Sequence, residues 1–327
     1  MIHHPSRRTA LSTMLSAAAT AVLPIKARAQ TYPSKPINFI VASVAGGILD
    51  TVGRFVAMGM EKMGQPVVVQ NIAGAGSTLG TAAVVRAKAD GYTVCMVATS
   101  HAINPSVYAK LPYDTKRDLQ PISHSVNLIN ALVVSAGVPA LTLKEFIDLA
   151  KKKPGELTFG SAGIGQSNHL SGELFCTAAG IHMTHVPYKG SAAALVDVMG
   201  GNVNSMFVDV LSAAPRVKSG GLRALAVSGN ARQPALPDVP TFAEAGMPTF
   251  DANSWLGVVT KAGTPPEIVA KLGTAAAAAM QDPETRTKLI AMGVQPVGST
   301  PEQFAKFLDA EYVRYAAAVK AAGIIPE

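Results

Sequence analysis

The stretch from residue 37 to residue 61, INFIVASVAGGILDTVGRFVAMGME, constrains the fold of this chain more than any other. It opens with a short apolar run over residues 37–42, the length of a buried strand. Gly46 and Gly47 follow, then Asp50, and then Val52, Phe55, Val56 and Met60 at helical spacing. A strand, a glycine turn and a helix in succession leave the first N–H groups of the helix without intrahelical partners. Those donors and the helix dipole form an anion site at the carboxyl end of the strand. The glycines alone would require only a tight turn. The anion reading gains weight because the same arrangement recurs along the chain.

Thr99-Ser100-His101 follows an apolar run at 93–98. Gly160-Ser161-Ala162-Gly163-Ile164-Gly165-Gln166-Ser167 separates a run at 157–159 from a helical stretch at 168–179. Pro187-Tyr188-Lys189-Gly190-Ser191 stands between a run at 183–186 and a helix at 192–199. Asp209 ends a run at 204–208 just before a helix starting near Ser212. Further strands are expected at 67–70, 131–135, 222–227 and 252–261, and further helices at 79–88 and 143–152. Strands alternating with helices imply an α/β chain with mostly parallel sheets covered on both faces. The end of the chain reads as three helices over 265–280, 283–292 and 301–322. Each opens on a proline, whose missing N–H costs nothing there, and Thr264 and Thr300 are candidate N-caps. The length of 327 residues suits two domains, with crossings placed near 131–135 and 254–260.

The first 29 residues differ from the rest. Arg7 and Arg8, a small-to-apolar run at 11–23 and Ala27-Arg28-Ala29 read as a cleavable signal peptide, with the mature chain starting near Gln30. Ser6-Arg7-Arg8 leaves a twin-arginine export route open. The leader carries four basic residues and no acid, so the mature chain holds 24 basic against 21 acidic residues. That near balance, with no basic cluster, excludes a nucleic-acid footprint. Cys95 and Cys176 are expected to be unpaired, since one falls in a strand of the first domain and the other in a helix of the second.

Enzyme signatures are sparse. Gly74-Ala75-Gly76-Ser77-Thr78-Leu79-Gly80 follows a strand and opens a helix, but its spacing is one residue longer than a dinucleotide fingerprint. It reads as a turn with close helix–sheet packing. No G-x-S-x-G or H-E-x-x-H occurs. His182 and His185 could share a metal, but no carboxylate or cysteine pattern supports one. The expectation is therefore no catalytic residue, no metal and no cofactor.

The motifs also resemble a known family, the periplasmic receptors of tripartite tricarboxylate transport systems, called Bug receptors. The resemblance runs from Tyr32-Pro33-Ser34-Lys35-Pro36-Ile37 through Ala45-Gly46-Gly47-Ile48-Leu49-Asp50, Ala89-Asp90-Gly91-Tyr92-Thr93 and His169-Leu170-Ser171-Gly172-Glu173-Leu174-Phe175. It continues to Thr184-His185-Val186-Pro187-Tyr188-Lys189-Gly190-Ser191 and Leu236-Pro237-Asp238-Val239-Pro240-Thr241. It implies a two-domain, type II-like periplasmic-binding-protein fold joined by two crossing strands, with a small carboxylate held in the cleft largely by backbone groups and waters. The sequence departs from the family pattern at Ala45, where proline is usual, at Ile48 and Leu49, where small polar residues are common, and at Gln166, where Ser or Thr is usual. The acid that often follows Met-Phe stands one place later, at Asp209. These changes point to a ligand with an apolar or aromatic body.

The combined reading is an exported binding protein with a leader at 1–29, one domain from 30–131 with 254–327, and a second at 132–253. It would work as a monomer in the periplasm and hand a carboxylate to a membrane permease. Candidate ligand contacts are Val44, Ala45, Gly46, Asp50, Thr99, Ser100, His101, Ser161, Gln166, Ser167, Tyr188, Gly190 and Asp209. The rival readings are a secreted hydrolase or lyase using His101 or His185, and a sensor receptor acting on a signalling partner.

Overall fold

The computed structural model describes residues 32–326; the expected leader and the start near Gln30 lie outside the described residues. Among the described residues eleven strands form two sheets. The first sheet contains β1 (Ile37–Val41), β2 (Val67–Asn71), β3 (Thr93–Ala98), β4 (Leu119–Leu128), β10 (Ser254–Lys261) and β11 (Val294–Pro296), in the spatial order β11-β4-β10-β3-β1-β2. The second contains β5 (Asn130–Ser135), β6 (Thr158–Ser161), β7 (Thr184–Pro187), β8 (Ser205–Asp209) and β9 (Leu222–Val227), in the order β7-β6-β8-β5-β9.

The sheets are mixed, which corrects the expectation of mostly parallel sheets. Where a helix returns the chain between strands, the pairs are parallel: β1 with β2 and β3, and β6 with β7 and β8. The strands next to the crossings between sheets run the other way. β4 passes into β5 through the single residue Ile129, and β5 pairs antiparallel with β8 and β9. β10 brings the chain back into the first sheet between β3 and β4, antiparallel to both. The two passages are tied together: Asn130 Nδ2 donates to Ala252 O at 2.7 Å and to Ser254 Oγ at 3.2 Å.

The helices cover the sheets. Those following strands are α1 (Ile48–Glu61), α2 (Thr78–Arg86), α3 (Ser100–Val107), α4 (Leu143–Lys152), α5 (Ser167–Ala179), α6 (Ser191–Met199) and α7 (Val210–Lys218). Three more, α8 (Pro266–Gln281), α9 (Pro283–Ala291) and α10 (Pro301–Ala321), belong to the first lobe. That lobe has one large core, in which Phe39, Ile40, Val56, Met96, Trp255 and Phe304 are buried. α1 and α8 approach so closely at Gly59 that an added Cβ would lie 2.3 Å from Ala279 Cβ. The second lobe has apolar layers on both faces of its sheet, one built around Phe146, Phe175, Phe207 and Phe242 and the other around Leu195, Val198 and Met206. Cys95 and Cys176 are buried and unpaired. No described helix is long and apolar enough to cross a membrane.

Candidate functional site

The carboxyl ends of the strands meet at a cavity of about 770 Å³ between the two sheets. Its wall is made by the beginnings of six helices. Ile48 and Leu49 come from α1, Ser77 from the turn into α2, Thr99 and Ser100 from α3, Gln166, Ser167 and Asn168 from α5, Ser191 from α6, and Asp209 and Ser212 from α7. Five of these helices, α1, α2, α3, α5 and α6, have no side-chain cap on their first N–H groups. Hydroxyls stand among those donors, and Asn168 links two of the starts. Its Oδ1 accepts from Ala162 N at 3.1 Å and its Nδ2 donates to Ser191 Oγ at 3.3 Å.

Among the described residues no lysine, arginine or histidine lines the cavity, and Asp209 is the only carboxylate there. Asp209 Oδ1 accepts from Ser212 N at 2.8 Å, so it serves as the N-cap of α7. The remaining wall combines apolar side chains, Ile48, Leu128, Ile164, Phe207, Trp255 and Met292, with the polar groups of Asn104, Asn130 and Ser254. A negative group placed here meets neutral donors and helix dipoles, with an apolar surround for the rest of the molecule.

The structure brings Thr99, Ser100, Gln166, Ser167 and Asp209 to this wall together. The other sequence candidates stand elsewhere. Val44 is 67% exposed on the rim with Ala45 and Gly46, and the first loop reaches the cavity through Ser43, Ile48 and Leu49 instead. Asp50 is buried and occupied within its own lobe. Its Oδ2 takes Gly46 N and Arg54 Nε, and its Oδ1 takes Asn71 Nδ2. Burial alone would raise its pKa, but these hydrogen bonds, with Arg54 foremost, outweigh that and hold it at about 2. His101 turns to a separate cavity of about 170 Å³ beside Thr115 and Tyr312, and burial pushes its pKa down to about 4. Ser161 is buried against His185 Nε2 at 2.6 Å. Tyr188 donates its hydroxyl to Asp197 Oδ2 at 2.6 Å. Gly190 donates its N–H to Ala162 O at 3.2 Å and leaves the wall to Ser191.

Several wall residues were not singled out from the sequence. Gly76 and Ser77 belong to the glycine-rich stretch read as a packing turn. That packing is present, since a Cβ on Gly80 would lie 2.9 Å from Ala42 Cα. The same turn also faces the cavity, and Asn104 Nδ2 holds it through Gly76 O at 2.9 Å. The strand, glycine turn and helix signal used elsewhere in the chain was sufficient to find it. Tyr108, Asn130, Phe207 and Ser254 had no such signal. Among the described residues no group of three or more His, Cys, Asp or Glu side chains is placed to hold a metal ion.

Two sheet-and-helix lobes with a cavity of this kind between them have the build of a solute-binding protein. A family model described as the tripartite tricarboxylate transporter family receptor matches residues 52–324. Protein BugT of Bordetella pertussis (strain Tohama I) is 36% identical over 308 residues, which covers 93% of this chain and 94% of BugT. Among solved structures, Rpa4515 of R. palustris with adipate has a TM-score of 0.75 at 33% identity, covering 90% of this chain and 100% of that one. MatC (Rpa3494) from Rhodopseudomonas palustris with bound malate has a TM-score of 0.71 at 30% identity, covering 88% and 100%. The chain belongs to the tripartite tricarboxylate transporter receptor family, whose members are periplasmic solute-binding proteins.

Proposed function

We propose that this receptor captures a small carboxylate in the cleft between its lobes, without catalysis, and delivers it to the membrane permease of a tripartite tricarboxylate transporter. The observation that carries this reading is the set of uncapped helix starts around a cavity that no basic side chain lines among the described residues. Hydrogen bonds to a charged group contribute about 1.5–3 kcal/mol each. A few such donors are enough for micromolar binding, which corresponds to about −8 kcal/mol. The similar proteins with adipate and malate support the ligand class, and the family description supports the permease. Ile48, Leu49, Phe207 and Trp255 on the wall favour a ligand with an apolar body.

The reading takes the protein as an exported monomer with lobes at residues 30–131 with 254–327 and at 132–253. The separation of β1–β4, β10 and β11 from β5–β9 supports the two lobes. The test is a thermal-shift screen over mono-, di- and aromatic carboxylates with their amides, followed by calorimetry. A ligand of the folded state raises the midpoint by mass action. Carboxylates should shift it and the amides should not; amides binding equally well would overturn the reading. Co-purification with the neighbouring permease, compared with and without ligand, tests the delivery step.

A further inference from the structure

Behind the cleft loop 162–166 lie two imidazoles. His169 is in the first turn of α5 and His185 is on β7, with ring centroids 3.7 Å apart and planes at 14°. Phe159 of β6 stacks on both, at 6.1 and 5.0 Å. His169 is 3% exposed. Its Nδ1 accepts the Gly165 backbone N–H at 3.1 Å, and its Nε2 lies 3.5 Å from Glu173 Oε1. A bond from an N–H makes Nδ1 the acceptor, so the ring proton is on Nε2, towards Glu173. His185 Nε2 meets Ser161 Oγ at 2.6 Å, and that oxygen also accepts Gly163 N at 3.1 Å. The stacked pair therefore touches the backbone of the loop at Gly165 directly and at Gly163 through Ser161.

Gly165 matters because it lines the cavity and also meets the other lobe. A Cβ added to it would lie 3.2 Å from Val107 Cγ1 of α3. The residue that holds Gly165 thus holds both the approach to the uncapped start of α5 and a contact across the cleft.

We infer that His169 is a positioning residue for ligand capture: its neutral ring fixes Gly165 and the first turn of α5 in the binding shape, and protonation of the stacked pair releases them. This rests on reading the cleft as a carboxylate site. A proton added at His169 Nδ1 would face the Gly165 N–H donor to donor, and the bond would be lost. A proton added to His185 would place a cation against a buried neutral ring. Charge reaches His185 from His169 and from Glu173; Ser161 and Phe159 carry none. Burial, then His169, pushes the His185 pKa down to about 4, and Glu173 opposes this. With a folded value below the usual ~6.5, neutral His185 is fully favoured above that pH, and it loses its advantage as pH falls from about 6.5 towards about 4.

The test has one readout without ligand and one with adipate as probe. In ¹⁵N-labelled protein the Gly165 amide shift should titrate between pH 7 and pH 4. His169→Asn, whose Oδ1 can accept the same N–H, should abolish that titration. In calorimetry at pH 7.5, His169→Asn should bind adipate within about threefold of wild type, and a folded His169→Leu at least about tenfold more weakly. A flat Gly165 amide in wild type, or wild-type pH dependence in His169→Asn, would overturn the inference. So would undiminished binding by His169→Leu. If wild type does not bind adipate, the Gly165 titration decides this inference by itself and the screen of carboxylates against amides decides the carboxylate reading.

Discussion

The helix starts that face the cleft differ from those that face solvent. Away from the cleft, Thr142 caps α4, Asp282 caps α9, and Thr300 with Gln303 forms a full capping box on α10. At the cleft, Gly47, Ser77, Thr99, Gln166 and Gly190 stand at the N-cap positions of α1, α2, α3, α5 and α6, and none offers a side-chain cap. Each side has one exception: Asp209 caps α7 at the wall, and α8 begins uncapped on Pro265 outside it. Capping satisfies the first N–H groups locally, and a typical cap stabilises a protein by about 1 kcal/mol. At the cleft that stability is forgone and the donors remain available to an incoming anion. The two sets of helices follow the same physics and differ in what is left to complete them.

The comparison can be broken first at Gly190, whose φ is +111°. No heavy atom lies within 4 Å of an added Cβ there, so Gly190→Val acts through backbone strain rather than through a clash. It should distort the start of α6 and reduce carboxylate binding by about a hundredfold or more in calorimetry. Retained binding would show that this helix start is not part of the anion site.

A sharper change gives a cleft helix the cap it lacks. Gln166 has an extended backbone, φ −72° and ψ 156°, as an N-cap residue requires. Gln166→Asp should raise unfolding stability by about 0.5–1 kcal/mol. It should also weaken carboxylate binding by about tenfold, because the new carboxylate takes the donors and repels the ligand. Denaturant unfolding and calorimetry on the same sample would show the two effects with opposite signs. A variant that gained stability and kept its affinity would refute the division of roles.

The converse change is Thr300→Ala, far from the cavity. It removes a cap bond and half of a reciprocal pair and should cost about 1 kcal/mol of stability with unchanged affinity. The smallest effect is expected at Lys189, the one cation of the loop at 187–191. It is exposed and absent from the wall. Lys189→Ala should change affinity by less than about twofold, as suits a solvated charge. A large loss would move the anion site to this loop and restore a cationic clamp.

Much of the architecture was legible from local pattern. β3, β9 and α4 occupy the ranges expected from the sequence, and most other elements differ by a few residues at their ends. The elements that escaped notice did so for physical reasons that differ from one to the next. β4 reads LQPISHSVNL, with a proline and five polar side chains, yet Ser123, His124 and Ser125 are buried. Ser123 Oγ donates to Ser299 O at 2.8 Å, His124 N donates to Ser299 Oγ at 2.9 Å, and the His124 ring stacks on Phe307 at 4.4 Å. Polarity in the sequence resembled a loop because the partners that allow its burial come from the far end of the chain. α3 was hidden by Pro105 in its interior, and β11 by its length of three residues.

The site divides in the same way. The sequence by itself determined that glycine turns and hydroxyls precede the helices of an α/β chain and that their loops carry no arginine, because those features depend on neighbours a few residues apart. Only the tertiary structure decided which donors remain free. It turns Asp50 inward to Arg54 and Asn71, points His101 and Tyr188 at their own lobes, and makes Asp209 a cap. It also seats His169 on Gly165 and His185 behind it. An N–H or a carboxylate is available to a ligand only if no protein partner reaches it first, and that is settled by contacts between residues far apart in the chain.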